Sequence, residues 1–137
     1  MITMKKRLER TVMVIAGVSF LCLYVNAQQP KPWDVPAEYK NMKNPVAKGE
    51  ESNKAGLATY TKFCASCHGK TGLGDGVKAR MLKDFPGDFS GDYFQNQTDG
   101  EHFYKTKFGR NEMPKFEGKL SDENIWNLVN FMRTFKK

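Results

Sequence analysis

Apolar residues are most regularly spaced near the C-terminus, where Ile125, Leu128, Val129, Met132 and Phe135 recur at the helical period and Trp126 and Phe131 widen the face. Ser121 is a good N-cap, Asp122 and Glu123 suit the positive end of the helix dipole, and Leu120 and Ile125 hold the two positions of a hydrophobic staple. This is the firmest helix in the chain. A second is expected over Lys54 to Ala65, with Gly56, Tyr60 and Cys64 at i, i+4 and i+8 along one face. A glycine inside a helix costs about 1 kcal/mol relative to alanine, so Gly56 implies close approach of another helix, and the last segment is the candidate partner. Thr98 to Phe108 reads as a third helix and Val77 to Leu82 as a short helical turn. Strand signals are scarce, so the fold class expected is all-α.

The N-terminal part follows a different pattern. Lys5, Lys6, Arg7 and Arg10 precede a fifteen-residue apolar run from Thr11 to Val25, and Val25-Asn26-Ala27 offers the small-residue pattern of a signal-peptidase site. Spanning a membrane takes about 20 apolar residues, so cleavage after Ala27 is the first reading and an uncleaved anchor the alternative. Cys22 lies in this run, behind Leu21, and reads as an ordinary apolar-region residue. Residues 28–54 carry Pro30, Pro32, Pro36 and Pro45 among many charges and show no helical or strand period. They are expected to form an extended arm, either a flexible spacer or a segment packed on the domain through Trp33. The chain thus divides into a signal peptide (1–27), a Pro-rich arm (28–54) and one domain (55–137).

Chemistry enters with Cys64-Ala65-Ser66-Cys67-His68. Two cysteines three apart with a histidine directly after the second form the attachment signature of a c-type haem. Each thiol adds to one haem vinyl group, and the histidine reaches the iron from one face. A zinc site would need four ligands, yet the other Cys is Cys22 and the other His is His102. A thioredoxin-like pair would sit in a βαβ pattern, which is missing. One motif implies one haem, which excludes a two-haem peroxidase. The glycine-rich stretch from Gly69 to Gly76 lacks the Lys-Ser/Thr ending of a phosphate loop. Export and haem attachment agree, because covalent joining needs reduced thiols on the outer side of an energy-transducing membrane; the expected location is the periplasm, with membrane association only through an uncleaved anchor.

Charge adds a partner class. The chain has 22 basic and 15 acidic residues; removing residues 1–27 leaves 18 and 14, a formal charge of +4. Two haem carboxylates would lower that to about +2. The lysines are dispersed, with no basic run alternating with aromatics, so nucleic acid is not an expected partner. Lys62, Lys70 and Lys78 surround the haem motif, and Lys105, Lys107, Arg110, Lys115 and Lys119 surround Met113, which suggests steering of an acidic partner. A mature chain of about 110 residues also benefits from a staple, and a covalent haem can stand in for part of the core; without it the chain should fold poorly.

Cys64-x-x-Cys67-His68-Gly69, Gly72-x-Gly74-Asp75-Gly76, Asp88-Phe89, Met113-Pro114-x-Phe116 and Leu120-Ser121-Asp122-Glu123-x-Ile125-Trp126-x-Leu128-Val129 occur in that order. Over roughly residues 55–135 the chain resembles the class I c-type cytochromes of the small bacterial kind. The resemblance implies a cytochrome c-type helical domain wrapped around one covalent haem c, with Gly56 and Tyr60 crossing Leu128 and Phe131. Val77 stands where many relatives have proline, which leaves the backbone partner of the His68 ring open. Sixth-ligand candidates are Met42, Met81, Met113, Met132 and His102. Met132 lies in the apolar stripe, Met81 reads as a packing residue, Met42 belongs to the arm and His102 reads as a polar helix residue. Met113 sits in a polar loop before Pro114, and the resemblance points to the same sulfur. The haem-binding set expected is therefore Cys64, Cys67, His68 and Met113, with His68 and Met113 on the iron. A closed His/Met iron needs no substrate pocket, so the expected function is one-electron transfer between respiratory redox partners, such as a membrane-bound oxidase or quinol-oxidising complex, rather than catalysis. The alternatives are a cytochrome subunit fixed in a larger membrane oxidoreductase, and a haem sensor or enzyme with a displaceable sixth ligand.

Overall fold

The computed structural model describes residues 32–137 of the 137-residue chain; the signal-peptide reading of residues 1–27, with Cys22, lies outside them. The described residues form α1 (Ala37–Lys40), α2 (Glu50–Phe63), α3 (Ala65–His68), a 3-10 turn (Ala79–Met81), α4 (Asp92–Gln95), α5 (Asp99–Phe108) and α6 (Asp122–Arg133). Among them there is no strand, only an isolated bridge between Arg110 and Met113. None of their helices is long and apolar enough to cross a membrane.

The best-patterned helix is also the most buried. The Ser121 hydroxyl accepts from the Asn124 N–H at 3.1 Å, and Ile125, Leu128 and Val129 of α6 are fully buried. α6 crosses α2 at Gly56, where a methyl group would collide with the Asn127 carbonyl and the Phe131 side chain. Tyr60, one turn on, lies among Phe131, Phe135 and Phe89, with ring centroids 5.4, 5.2 and 6.5 Å away. Its hydroxyl donates to the Gly69 carbonyl at 2.7 Å, tying the crossing to the backbone just past His68. α5 starts with a reciprocal cap: Thr98 Oγ1 accepts from the Glu101 N–H, and Glu101 Oε2 accepts from the Thr98 N–H. Phe103 of α5 stacks on Trp126 of α6 at 4.2 Å.

Several elements differ from the sequence pattern. α2 begins at Glu50 rather than Lys54, since Glu50 and Glu51 favour its N-terminus, and it ends at Phe63, with α3 following as a separate turn. The stretch read as lacking a helical period holds α1, and α4 had no expected counterpart. Tyr39 of α1 packs edge-on against Tyr104 and Phe108 of α5, and Val35 is buried. Asn130, on the buried side of α6, donates to Ser52 Oγ at 2.8 Å and to the Val46 carbonyl at 3.1 Å, while Asn44 donates to Asn130 Oδ1 and to the Trp126 carbonyl. Those amides fasten residues 44–52 to α6. Arg133 joins the end of α6 to the α4–α5 junction through Asp99 Oδ1 and the carbonyls of Gln95 and Gln97.

Gly56→Ala should destabilise the folded protein by about 1–3 kcal/mol, because the added methyl meets backbone that cannot yield cheaply. A lower thermal-unfolding midpoint checks it, and an unchanged midpoint would disprove the close crossing.

Candidate functional site

α2 ends one residue before Cys64, and α3 carries Cys67 and His68, so the helix crossing sets where the Cys-x-x-Cys-His segment lies. Successive amides hold it: Cys67 N–H and His68 N–H donate to the Cys64 carbonyl at 3.1 and 2.9 Å, and Gly69 N–H donates to the Ala65 carbonyl at 2.9 Å. The glycine-rich stretch then folds back onto it. Gly74 N–H donates to the His68 carbonyl, Gly76 N–H to the Cys67 carbonyl and Lys78 N–H to the Ser66 carbonyl. Gly76 lies so close to the Ser66 and Cys67 backbone that a methyl group there would overlap it. The run that carries no phosphate-loop ending is thus a clamp on the haem motif.

These elements border a cavity of about 490 Å³. Cys64, Cys67, His68 and Met113 all line it, together with apolar residues such as Phe89, Phe94, Phe116 and Met132. Volume and lining are those of a site for one largely apolar organic group. Both cysteines are free thiols, and burial, with Cys67 nearby, pushes the Cys64 thiol up to about 12. The His68 ring packs on Phe89 at 4.5 Å, and Phe89 stacks on Phe94 at 4.2 Å. Burial pulls the ring down to about 4, opposed by the backbone carbonyl of Pro86. Nδ1 of His68 is buried and makes no hydrogen bond of normal geometry. A neutral imidazole is the form that ligates a metal.

Met113 closes a tight hairpin with Arg110: Arg110 N–H donates to the Met113 carbonyl and Met113 N–H to the Arg110 carbonyl, each at 2.9 Å. Asn111, inside it, takes the left-handed region at φ 52°. Other candidates fall elsewhere. Met132 is buried in the core and also reaches the cavity. Met81, expected to pack, is 70% exposed on the 3-10 turn, and Met42 is exposed. His102 is fully buried rather than a polar surface residue; it stacks on Phe94 at 4.0 Å, with Nε2 3.1 Å from the Phe94 carbonyl. Phe89 and Phe94 shape the cavity; Phe89 belongs to the Asp88-Phe89 motif, whereas Phe94 lies outside any periodic stripe or motif.

Charge around the cavity is partly committed. Lys107 pairs with Asp122 at 2.8 Å, and Arg110 stacks on Trp33 at 4.3 Å while donating to the Pro32 carbonyl. Lys105 donates to Gln97 from the cavity wall, and burial pulls it down to about 8, with Arg110 and Lys40 adding to the effect and Glu101 opposing it. Lys62, Lys70, Lys78, Lys115 and Lys119 remain exposed.

A helical domain holding a Cys-x-x-Cys-His turn and a methionine hairpin on one apolar cavity defines the class: a small c-type cytochrome. Residues 51–132 match the family described as cytochrome c oxidase, cbb3-type, subunit III, and the chain belongs to that family. Among solved structures, the KustC0563 c-type cytochrome is similar at 27% identity and a TM-score of 0.52, over 60% of this chain and 98% of that one. A chain of the Kuenenia stuttgartiensis reducing HAO-like protein complex Kustc0457/Kustc0458 shares the fold at 24% identity and a TM-score of 0.62. That match covers 80% of this chain, which spans about half, 52%, of the other. No curated protein matches the chain. Membership implies a covalently bound haem c, and the two free thiols, the buried imidazole and the apolar lining fit that group.

Gly76→Ala should wedge the glycine clamp away from Ser66 and Cys67, lowering the unfolding midpoint by the equivalent of about 1–3 kcal/mol. Gly49→Ala, where a methyl meets nothing within 4 Å and only the α2 N-cap is affected, is the control that should lower it by less.

Proposed function

We propose that the protein is an exported, mono-haem one-electron carrier, in which Cys64 and Cys67 hold the haem through thioethers and His68 and Met113 ligate its iron. The observation that carries this reading is the convergence of those four side chains on one apolar cavity. When bound, haem supplies a reversible ferrous/ferric couple. The chain supplies the rest. Cys64 and Cys67 fix orientation, Phe89 packs against the His68 ring, and Met113 offers a neutral, soft donor that favours the reduced metal. Phe94, Phe116 and Met132 keep water from the buried side. The five exposed lysines would steer an acidic partner, whereas Lys105, Lys107 and Arg110 are engaged within the fold.

A second reading, a subunit held within a larger oxidoreductase, draws support from the oxidase-subunit description of the family. Release from membranes by a salt wash would favour the free carrier; retention until detergent is added would favour the fixed subunit.

The haem of the purified protein should survive acid–acetone extraction, and a redox titration followed by absorbance should fit a single one-electron step. Loss of haem to the solvent would refute covalent attachment. Met113→Ala should lower the reduction potential, abolish the weak sulfur-to-iron charge-transfer band of the ferric protein and admit added imidazole. Met81→Leu and Met132→Leu should retain the band. A band that survives Met113→Ala would assign the sixth position to another residue.

A further inference from the structure

The hairpin that carries Met113 is gripped from two sides by groups with no place in the haem signature. On one side is the segment before residue 51, where the family match begins. Its Pro32 carbonyl accepts from Arg110 Nη1 at 2.6 Å, and its Trp33 ring lies 4.3 Å from the Arg110 guanidinium. Arg110 in turn exchanges two backbone hydrogen bonds with Met113, so the path from Trp33 to Met113 passes through one residue. On the other side, Glu112 Oε2 accepts from the Lys83 N–H at 2.7 Å and from the Asp84 N–H at 3.4 Å. Lys83 and Asp84 begin the loop that carries Pro86, which lines the cavity together with His68. Trp33, Asp84, Arg110 and Glu112 all border the same cavity as Met113.

We propose that Trp33 and Glu112 are positioning residues for the sixth iron ligand: the arm and the 83–84 loop brace the Met113 hairpin and set how often Met113 leaves the iron. This rests on the reading of Met113 as that ligand. Both border the cavity, and their contacts with the ligand loop run through the hairpin. Arg110 and Met113 are half-buried and Asn111, Glu112 and Pro114 exposed, so the opening of the hairpin is governed by such tethers.

The test uses the intact holoprotein and the rate at which imidazole displaces the sixth ligand from ferric iron. Glu112→Ala should raise that rate about tenfold, the equivalent of one lost charge-assisted bond, and Trp33→Ala about threefold, for one lost cation–π contact. Trp33→Phe, which keeps a ring for Arg110, and Glu112→Gln, which keeps one acceptor oxygen, should recover part of the difference. Gly56→Ala controls for general loosening. If it raises the imidazole rate as much as the two brace variants do, their role is merely structural and the proposal fails. Wild-type rates in both brace variants, beside a fast Met113→Ala, would overturn the bracing while leaving Met113 as the ligand. A Met113→Ala rate equal to wild type would instead overturn the ligand assignment beneath it.

Discussion

The close crossing of α2 and α6 at Gly56 is the constraint on which the rest of this structure depends. With no Cβ at that point the two backbones meet, and the Asn127 carbonyl and Phe131 occupy the space of a side chain. The direction of α2 is then fixed, and with it the position of Cys64 at its C-terminal cap. Tyr60 turns the same contact into a polar tether, since its buried hydroxyl can reach only a group such as the Gly69 carbonyl. A helix–helix contact on one side of the domain thereby determines where two thiols and an imidazole face on the other.

A cavity of about 490 Å³ is a large demand on a domain of this size. At roughly 24 cal/mol per Å³, the contacts that an apolar group would make with such a lining are worth on the order of 10 kcal/mol, an upper bound because the mouth is open to water. That is comparable to the whole stability of a typical domain. The core alone is therefore a partial scaffold, and a covalently held ring completes it. The same argument explains why a short, polar chain is able to fold around so much cofactor surface.

What the sequence made legible was whatever periodicity or spacing encodes directly. The α6 stripe, its Ser121 cap, the glycine needed at the crossing and the Cys-x-x-Cys-His turn each depend on residues near one another in the chain. The single turn of α1 and the short α4 were hidden for the opposite reason: tertiary contacts stabilise them, such as Tyr39 against Tyr104 and Phe108. Asn130 reads as a polar break in an apolar face until Ser52, Val46 and Asn44 are brought to it from some eighty residues away. Phe89 and Phe94 sit in loops and short turns, where an aromatic ring gives no period to detect. His102 looked polar because residue type says nothing of burial, and the Phe94 carbonyl that satisfies its ring comes from outside α5.

The two halves of the site are stabilised differently, and that difference bears on electron transfer. On the His68 side, a buried tyrosine, a glycine clamp and stacked rings hold the imidazole through contacts that open only with the core. On the Met113 side, a hairpin at the surface is held by a carboxylate on two amides and an arginine on the arm. His68 is thus embedded in the cooperative unit, and Met113 is tethered at its edge. Under the proposed reading, in which both ligate iron, a carrier benefits from the first, because little reorganisation accompanies a change of charge at a rigid ligand. The second makes ligand retention adjustable without touching the core, since weakening one surface tether changes the hairpin's opening equilibrium and leaves the α2–α6 crossing as it was. Pro32 and Trp33, which precede the family domain, therefore reach the part of the site that lies at the surface.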